Sequence, residues 1–187
     1  MWKSAGRIIL AVSAVAIVFW LATFASFEPE VRLSAPGGYA FPTFRLPVLN
    51  AALFEGDTTF IDSESLRGNV AVVTFWATWC APWIAEQPSL LALQDEFSDE
   101  GLIVLGVLHQ DRPGPALEWL IDNDRLGLRT VVGTSLFARS ARVGGLPNTA
   151  LVDRNGTVTE LFLGYWPERD PYVRDAVRNL LASAPTS

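Results

Sequence analysis

The sequence has very few of the side chains that build redox pairs and metal sites. Of its 187 residues one is cysteine, Cys80, and one is histidine, His109. A single cysteine cannot form a disulfide within the chain, and it leaves no second thiol to resolve a mixed disulfide. Zinc sites usually combine several cysteine and histidine ligands, so we expect no metal site and no bound cofactor.

Runs of basic residues are absent as well. The chain has 14 Lys and Arg against 20 Asp and Glu, which gives a net charge of −6 at pH 7. Nucleic-acid-binding domains usually carry a basic patch or stripe, so nucleic acid is not an expected partner. Hydrophobic residues make up 50% of the chain, which suits one globular domain and one additional apolar segment.

The apolar segment lies near the start of the chain. Residues 1–7 include two basic side chains, and residues 8–27 form an uncharged run long enough to span a bilayer. The end of the run lacks a small-x-small cleavage pattern, which favours an uncleaved anchor over a cleaved signal peptide. Basic residues before the run and Glu28 and Glu30 after it predict a single-pass protein of the inner membrane, with its C-terminal domain in the periplasm.

The remaining sequence predicts a linker over residues 28–40, where Pro36 and the two following glycines break regular structure, and a domain over 41–187. From Val70 onward, apolar strand patterns alternate with helical patterns, which indicates an α/β sandwich with a central mixed sheet. Strands are expected near 102–107, 130–132 and 158–163, and helices near 115–123 and 171–182.

The domain is organised around residues 70–88, VAVVTFWATWCAPWIAEQP. A run rich in Val and Phe, typical of a buried strand, leads to Cys80, where a helix is predicted to begin with Pro82 in its first turn. Helix N-termini carry unpaired N–H groups and partial positive charge, which favour a thiolate. We therefore expect Cys80 to be a partly exposed nucleophile rather than an inert thiol. Pro88 is expected to kink the helix, because its ring opposes the carbonyl of Ile84.

This stretch resembles the membrane-anchored thioredoxin-like proteins of the TlpA, ResA and DsbE (CcmG) type, whose motif reads roughly F-W-A-T-W-C-x-P-C-[RK]-x-E-x-P. The matching residues are Phe75, Trp76, Ala77, Thr78, Trp79, Cys80, Pro82, Glu86 and Pro88. The resemblance implies a thioredoxin-like three-layer sandwich and thiol:disulfide oxidoreductase activity. Two positions depart from the motif: Trp83 replaces the second cysteine and Ile84 replaces the basic residue.

A second signature of the same family resembles residues 143–153, which read VGGLPNTALVD. The resemblance implies a strand that opens at a cis-proline, Pro147, with Leu146 and Pro147 facing Cys80 across the site. In this fold the loop offers backbone hydrogen bonds to an extended substrate peptide. Leu146 and Pro147 are therefore candidate substrate-binding residues.

Three polar residues in or near the motif are considered as possible acids or bases. Glu86 matches the acidic residue that assists proton movement in the family, so it is a candidate catalytic residue beside Cys80. The residue pattern alone predicts for Glu86 a solvated charge in the second turn of a helix. Thr74 stands where thioredoxin has a buried Asp, so no base is expected at that position. His109, which follows a strand, is expected to be a polar surface residue.

Trp79 and Trp83 are candidate substrate-binding residues. Trp83 lies three residues after Cys80, on the same helix face. It can cover the sulfur, offer an aromatic ledge to a ligand, or pack against Trp79 and protect the start of the helix. The sequence does not separate these three roles.

Two functions are consistent with these residues. The first is thiol–disulfide exchange through Cys80 alone, with a periplasmic thiol or disulfide protein or a low-molecular-weight thiol, in cytochrome c maturation or in periplasmic redox homeostasis as the resemblance implies. The second is a redox-inactive binding or assembly module for a periplasmic polypeptide. A one-cysteine peroxidase is disfavoured, because Ala77 occupies the threonine position of the T-x-x-C pattern of peroxiredoxins.

Overall fold

A six-stranded mixed β-sheet organises residues 32–53 and 59–183, the part of the chain that the computed structural model describes. In chain order the elements are β1 (Arg32–Ala40), β2 (Arg45–Pro47), β3 (Phe60–Asp62), β4 (Val70–Trp76), α1 (Ala81–Phe97), β5 (Leu102–Leu108), α2 (Pro113–Asp122), β6 (Thr130–Val132), α3 (Ser135–Ser140), β7 (Asn148–Val152), β8 (Thr157–Leu163) and α4 (Asp170–Ala182). Short 3₁₀ turns lie at Ala51–Leu53, Ser63–Leu66, Ser98–Glu100 and Pro167–Arg169.

The strand order is β1-β8-β7-β4-β5-β6, and β2 pairs with β3 in a separate two-stranded sheet. Strands β4, β5 and β6 are parallel, while β7 is antiparallel to β4 and to β8. All seven residues of β4 are buried, because α1, α2 and α4 pack on one face of the sheet and α3 and the β2–β3 pair pack on the other. The predicted three-layer α/β sandwich with a mixed sheet is confirmed.

Strand β1 corrects the linker prediction for residues 32–40. It pairs antiparallel with β8 at the edge of the sheet, and its register shifts between Ser34 and Tyr39. The breakers that suggested a linker fall within this shift, and Gly38 has a φ of +64°, which a glycine adopts without strain. A strand tolerates such residues at an irregularity of this kind, so the breakers interrupt the pairing locally without ending it.

The apolar run over residues 8–27, predicted as a membrane anchor, lies outside the described residues. Within residues 32–53 and 59–183, no helix is both long enough and apolar enough to cross a bilayer.

Helix α1 continues through Pro88, and a side chain outside the helix provides the hydrogen bond that the proline cannot make. Proline has no N–H, so the carbonyl of Ile84 lacks its usual helical donor. Arg125, which follows α2, donates from Nη1 to that carbonyl at 3.0 Å and to Gln87 Oε1 at 2.7 Å. Gln87 Nε2 donates in return to the Arg125 carbonyl at 3.0 Å. A side chain from a neighbouring segment therefore replaces the hydrogen bond that Pro88 removes.

Candidate functional site

Cys80 lies at the junction between β4 and α1, as the motif predicts. It is the N-cap residue of α1, and its carbonyl accepts the first helical hydrogen bond from the Ile84 N–H at 3.2 Å. Its own N–H donates to the carbonyl of Ala77 at 3.0 Å, which tightens the loop before the helix. These two backbone hydrogen bonds therefore fix the main chain at Cys80, where the loop meets the helix. The backbone N–H of Trp83, in the first turn of the helix, lowers the pKa of the Cys80 thiol.

The environment of the sulfur differs from the expected one. Cys80 is only 3% exposed, and this burial raises the pKa of its thiol above the ordinary value. The Trp83 N–H lowers the pKa and the charge of Glu86 raises it, but desolvation is the largest influence. A partly exposed thiol with a stabilised thiolate is therefore contradicted in this conformation. The catalytic role of Cys80 stays a prediction.

Trp83 fills the position of the missing second cysteine with aromatic packing. Its ring is fully buried and stacks on Trp76, with centroids 4.1 Å apart and planes 13° apart. It does not pack in the core with Trp79, which is 60% exposed. A buried ring presents no surface to a ligand in this structure, so the substrate-binding role of Trp83 stays a prediction without support from exposure.

The loop that carries Trp79 is held by the loop that follows β5. Thr78 donates to Asp111 Oδ2 twice, from its backbone N–H at 2.9 Å and from its hydroxyl at 2.6 Å. Trp79 Nε1 donates to the carbonyl of Gln110 at 3.3 Å, and Gln110 has a φ of +57°. The sequence analysis did not identify Asp111 or Gln110. The signal was available, because β4 and β5 are adjacent parallel strands and the loops at their carboxyl ends must meet.

His109, expected at the surface, is almost buried. The backbone N–H of His109 donates to the carbonyl of Trp76 at 2.8 Å, which extends the pairing of β4 and β5 by one residue. Burial lowers the pKa of the His109 imidazole, which favours the neutral form of the ring. The surface prediction for His109 was therefore wrong.

Glu86 is a buried carboxylate rather than a solvated one. It forms an ion pair with Arg169, and its Oε1 lies 2.8 Å from Thr149 Oγ1. Thr149 Oγ1 is also 3.2 Å from Thr74 Oγ1. The Thr149 hydroxyl therefore donates to Glu86, the shorter of the two contacts, and also lies within hydrogen-bond distance of Thr74. Thr74 supplies no base, as expected, but it belongs to a polar group that contains a buried acid.

The charge of Glu86 is set by opposing influences. Burial raises the pKa of its carboxyl more than the charge of Arg169 and the hydrogen bond from Thr149 lower it, so the net pKa is about 7. The neighbouring charge of Asp170 raises it further. Glu86 therefore changes its protonation state near neutral pH, within the range that proton-transfer groups use.

The loop before β7 contains the implied cis-proline. The peptide bond between Leu146 and Pro147 is cis, and the Pro147 carbonyl accepts from the Gly164 N–H at 2.8 Å. Leu146 is half-buried and packs against the core group that includes Cys80. The structure therefore places Leu146 and Cys80 in one cluster, while the role of Leu146 and Pro147 in binding substrate stays a prediction.

Comparison with known proteins identifies similar sequences. The model of the AhpC/TSA family matches residues 38–161. The thiol:disulfide interchange protein DsbE of Pseudomonas fluorescens biotype C is 30% identical over 140 residues, which cover 73% of this chain and 72% of the relative. The thiol:disulfide interchange protein HelX of Rhodobacter capsulatus is 29% identical over 159 residues, which cover 83% of this chain and 82% of the relative.

Solved structures are similar over nearly their whole length. A protein from Chlorobium tepidum, assigned as a DsbE thiol:disulfide interchange protein, superposes with a TM-score of 0.69 at 25% identity, over 78% of this chain and 97% of that one. A secreted thiol-disulfide isomerase of Corynebacterium glutamicum has a TM-score of 0.65 at 21% identity, over 83% of this chain and 96% of the other, and supports the fold alone.

Proposed function

Because the chain belongs to the AhpC/TSA family and is related to DsbE-type proteins, we propose that it is a thiol:disulfide oxidoreductase that works through Cys80 alone. The single observation that supports this proposal is the position of Cys80. It retains the N-cap place of the family motif at the end of β4, while the second cysteine position holds the buried ring of Trp83.

The proposed exchange consists of two balanced substitutions at sulfur. The Cys80 thiol loses its proton, and the thiolate attacks one sulfur of a client disulfide. The client S–S bond breaks, a Cys80 mixed disulfide forms, and the departing client thiolate takes up a proton. A second thiol from solution or from a partner then attacks the mixed disulfide, which releases Cys80 and leaves a new disulfide on the client side.

We place this chemistry outside the cytoplasm. The apolar run over residues 8–27 and the charges on either side of it support a single-pass anchor in the inner membrane, with the described domain in the periplasm. The clients we propose are periplasmic thiol or disulfide proteins, in cytochrome c maturation or in periplasmic redox homeostasis, together with low-molecular-weight thiols such as glutathione.

Mass spectrometry of the intact chain tests this proposal. After incubation with glutathione disulfide at pH 8, we expect one glutathione adduct, which excess reduced glutathione removes. Cys80→Ser should form no adduct. If the native chain forms no adduct although the urea-unfolded chain does, the exchange proposal fails.

One observation favours a second candidate function. Cys80 is buried and the pKa of its thiol is raised, which suits a module that holds a periplasmic polypeptide without redox turnover. In that case Cys80→Ala leaves the cellular phenotype intact. Loss of the phenotype in Cys80→Ala would exclude the binding module.

A further inference from the structure

Arg169 lies in the 3₁₀ turn before α4, far in sequence from the motif, and its guanidinium is buried beside the motif helix. Its Nη2 pairs with Glu86, and its Nη1 donates to the carbonyl of Gly164. Its central carbon lies 5.2–5.6 Å from the centroids of three aromatic rings, those of Phe162, Tyr165 and Trp166. The charge of Arg169 is therefore held against α1 by contacts on several sides.

A buried ion pair is poorly explained by stability alone. Removing two charges from water costs free energy that their attraction often fails to recover, and apolar replacements of such pairs are frequently as stable. The pair of Glu86 and Arg169 also lies next to the site. Glu86 is on the helix that Cys80 caps, and Thr149, which donates to Glu86, is two residues after cis-Pro147.

Four titratable groups interact electrostatically with Glu86. Arg169 opposes its negative charge, while Asp170 adds a like charge from the start of α4. The charge of Glu86 in turn raises the pKa of the Cys80 thiol and of the Tyr165 hydroxyl. Among the described residues, Glu86 Oε2 has no hydrogen-bond donor, so a proton taken up by Glu86 has an oxygen to occupy.

We propose that Arg169 is a positioning residue that holds Glu86 in place as a carboxylate, and that this charge restrains the loss of the proton from Cys80. Through Glu86, the segment between β8 and α4 thereby influences the reactivity of Cys80, which is distant from it in sequence. The inference deepens the proposed function, but it concerns the thiol itself and is measurable without any client.

The test measures the rate of Cys80 alkylation by iodoacetamide against pH in the full-length chain. Arg169→Met should move the midpoint to lower pH, because Glu86 without its counter-charge stays protonated while Cys80 ionises. We expect the rate at pH 8 to rise roughly threefold, which is the effect of half a pH unit in the midpoint. Arg169→Lys keeps the charge and should keep the wild-type midpoint.

Glu86→Gln provides the matched comparison. It should lower the midpoint as Arg169→Met does, and the double variant Glu86→Gln with Arg169→Met should equal Glu86→Gln alone. If a single variant fails to fold, the double variant leaves no unpaired buried charge and still tests the inference, because it would retain the wild-type midpoint if the charge of Glu86 did not act on Cys80.

Two results would overturn the inference. One is a purely structural role, in which Arg169→Met raises the rate by the same factor at every pH and leaves the midpoint unchanged. The other is a double variant with the wild-type midpoint. Neither result depends on mixed-disulfide formation, so failure of this inference is distinguishable from failure of the exchange proposal.

Discussion

At the scale of single residues, the sulfur of Cys80 is governed by two opposed effects. Burial and the charge of Glu86 favour the thiol, while the Trp83 N–H in the first turn of α1 favours the thiolate. Burial is the larger effect, so the family position of a cysteine at a helix start does not by itself make a low-pKa nucleophile. Cys80 keeps the position that the family motif gives its first cysteine, but burial raises the pKa of its thiol.

We expect the alkylation rate of Cys80 to reach half of its maximum above the pH of a free cysteine, ~8.5. The reason is that burial raises the pKa of the thiol. Stopped-flow measurement against iodoacetamide, with the urea-unfolded chain as the control, provides the comparison. A native midpoint below that of the unfolded chain would show that the helix N-terminus outweighs burial.

Trp83→Cys tests what the buried ring contributes. Replacing a fully buried, stacked indole by a small side chain leaves a cavity, and we expect a loss of about 3–5 kcal/mol in the free energy of unfolding. Trp83→Phe, which keeps an aromatic ring against Trp76, should lose less. Urea denaturation measures both values.

The same variant restores two cysteines at the family spacing. Positions 80 and 83 are one helical turn apart, within the reach of a disulfide, so the oxidised variant should contain no free thiol. Two reactive thiols after oxidation would show that the first turn of α1 does not permit the bond. Thiol titration of the native protein distinguishes the two outcomes.

At the scale of elements, helix α1 depends on a side chain that does not belong to it. Pro88 leaves the carbonyl of Ile84 free, and Arg125 supplies the donor. We expect Arg125→Ala to lower the free energy of unfolding by about 1–3 kcal/mol, because the partly buried Ile84 carbonyl and the Gln87 amide oxygen lose a charged donor.

Pro88→Ala provides the matched background. An alanine N–H at position 88 can donate to Ile84 as in an uninterrupted helix, so Arg125→Ala should cost less there. Equal costs in both backgrounds would show that Arg125 acts elsewhere. The four stabilities of this cycle come from urea denaturation.

The loop before Cys80 depends on Asp111, which accepts two hydrogen bonds from Thr78. Partial burial raises the pKa of Asp111, but these bonds and the nearby Arg112 lower it by a larger amount. The net shift of the pKa is therefore downward. A carboxyl group whose pKa is lower in the folded than in the unfolded state stabilises the fold at a pH above its unfolded pKa. This stabilisation is lost as the pH falls through the folded pKa. Asp111 therefore stabilises the loop at neutral pH and ceases to do so in acid.

Asp111→Asn should lower the free energy of unfolding by about 1 kcal/mol at pH 7, a value reduced for partial exposure of the site. The difference from wild type should shrink below about pH 4. Asp122→Asn, at an exposed position at the end of α2, is the control. A pH-independent difference for Asp111→Asn would contradict the assignment.

At the scale of the whole molecule, local sequence signals predicted the architecture well. The apolar run before Cys80, the helical spacing after it and the proline before β7 are each contained in a short stretch. They were sufficient for the sandwich, for the helix start at the cysteine, and, through the family resemblance, for the cis bond at Pro147.

The features that were missed depend on contacts between distant segments. Glu86 and Arg169 are 83 residues apart, and nothing near Glu86 in sequence indicates that a guanidinium will reach it. His109 is polar, but its backbone pairs with β4 and this places the residue in the interior. Strand β1 forms despite its proline and glycines, because it pairs with the edge of β8. Sequence periodicity indicates which face of an element is buried, but not which charged side chain from a distant segment packs against that face.

The most direct measurement of the central proposal is the reduction of a glutathionylated peptide by glutathione in the presence of the full-length chain. If Cys80 exchanges by itself, the rate should rise in proportion to the concentration of the chain, and Cys80→Ser should return it to the uncatalysed value. Equal rates with the wild-type chain and with Cys80→Ser would contradict one-cysteine exchange and leave the domain as a binding module of the same fold.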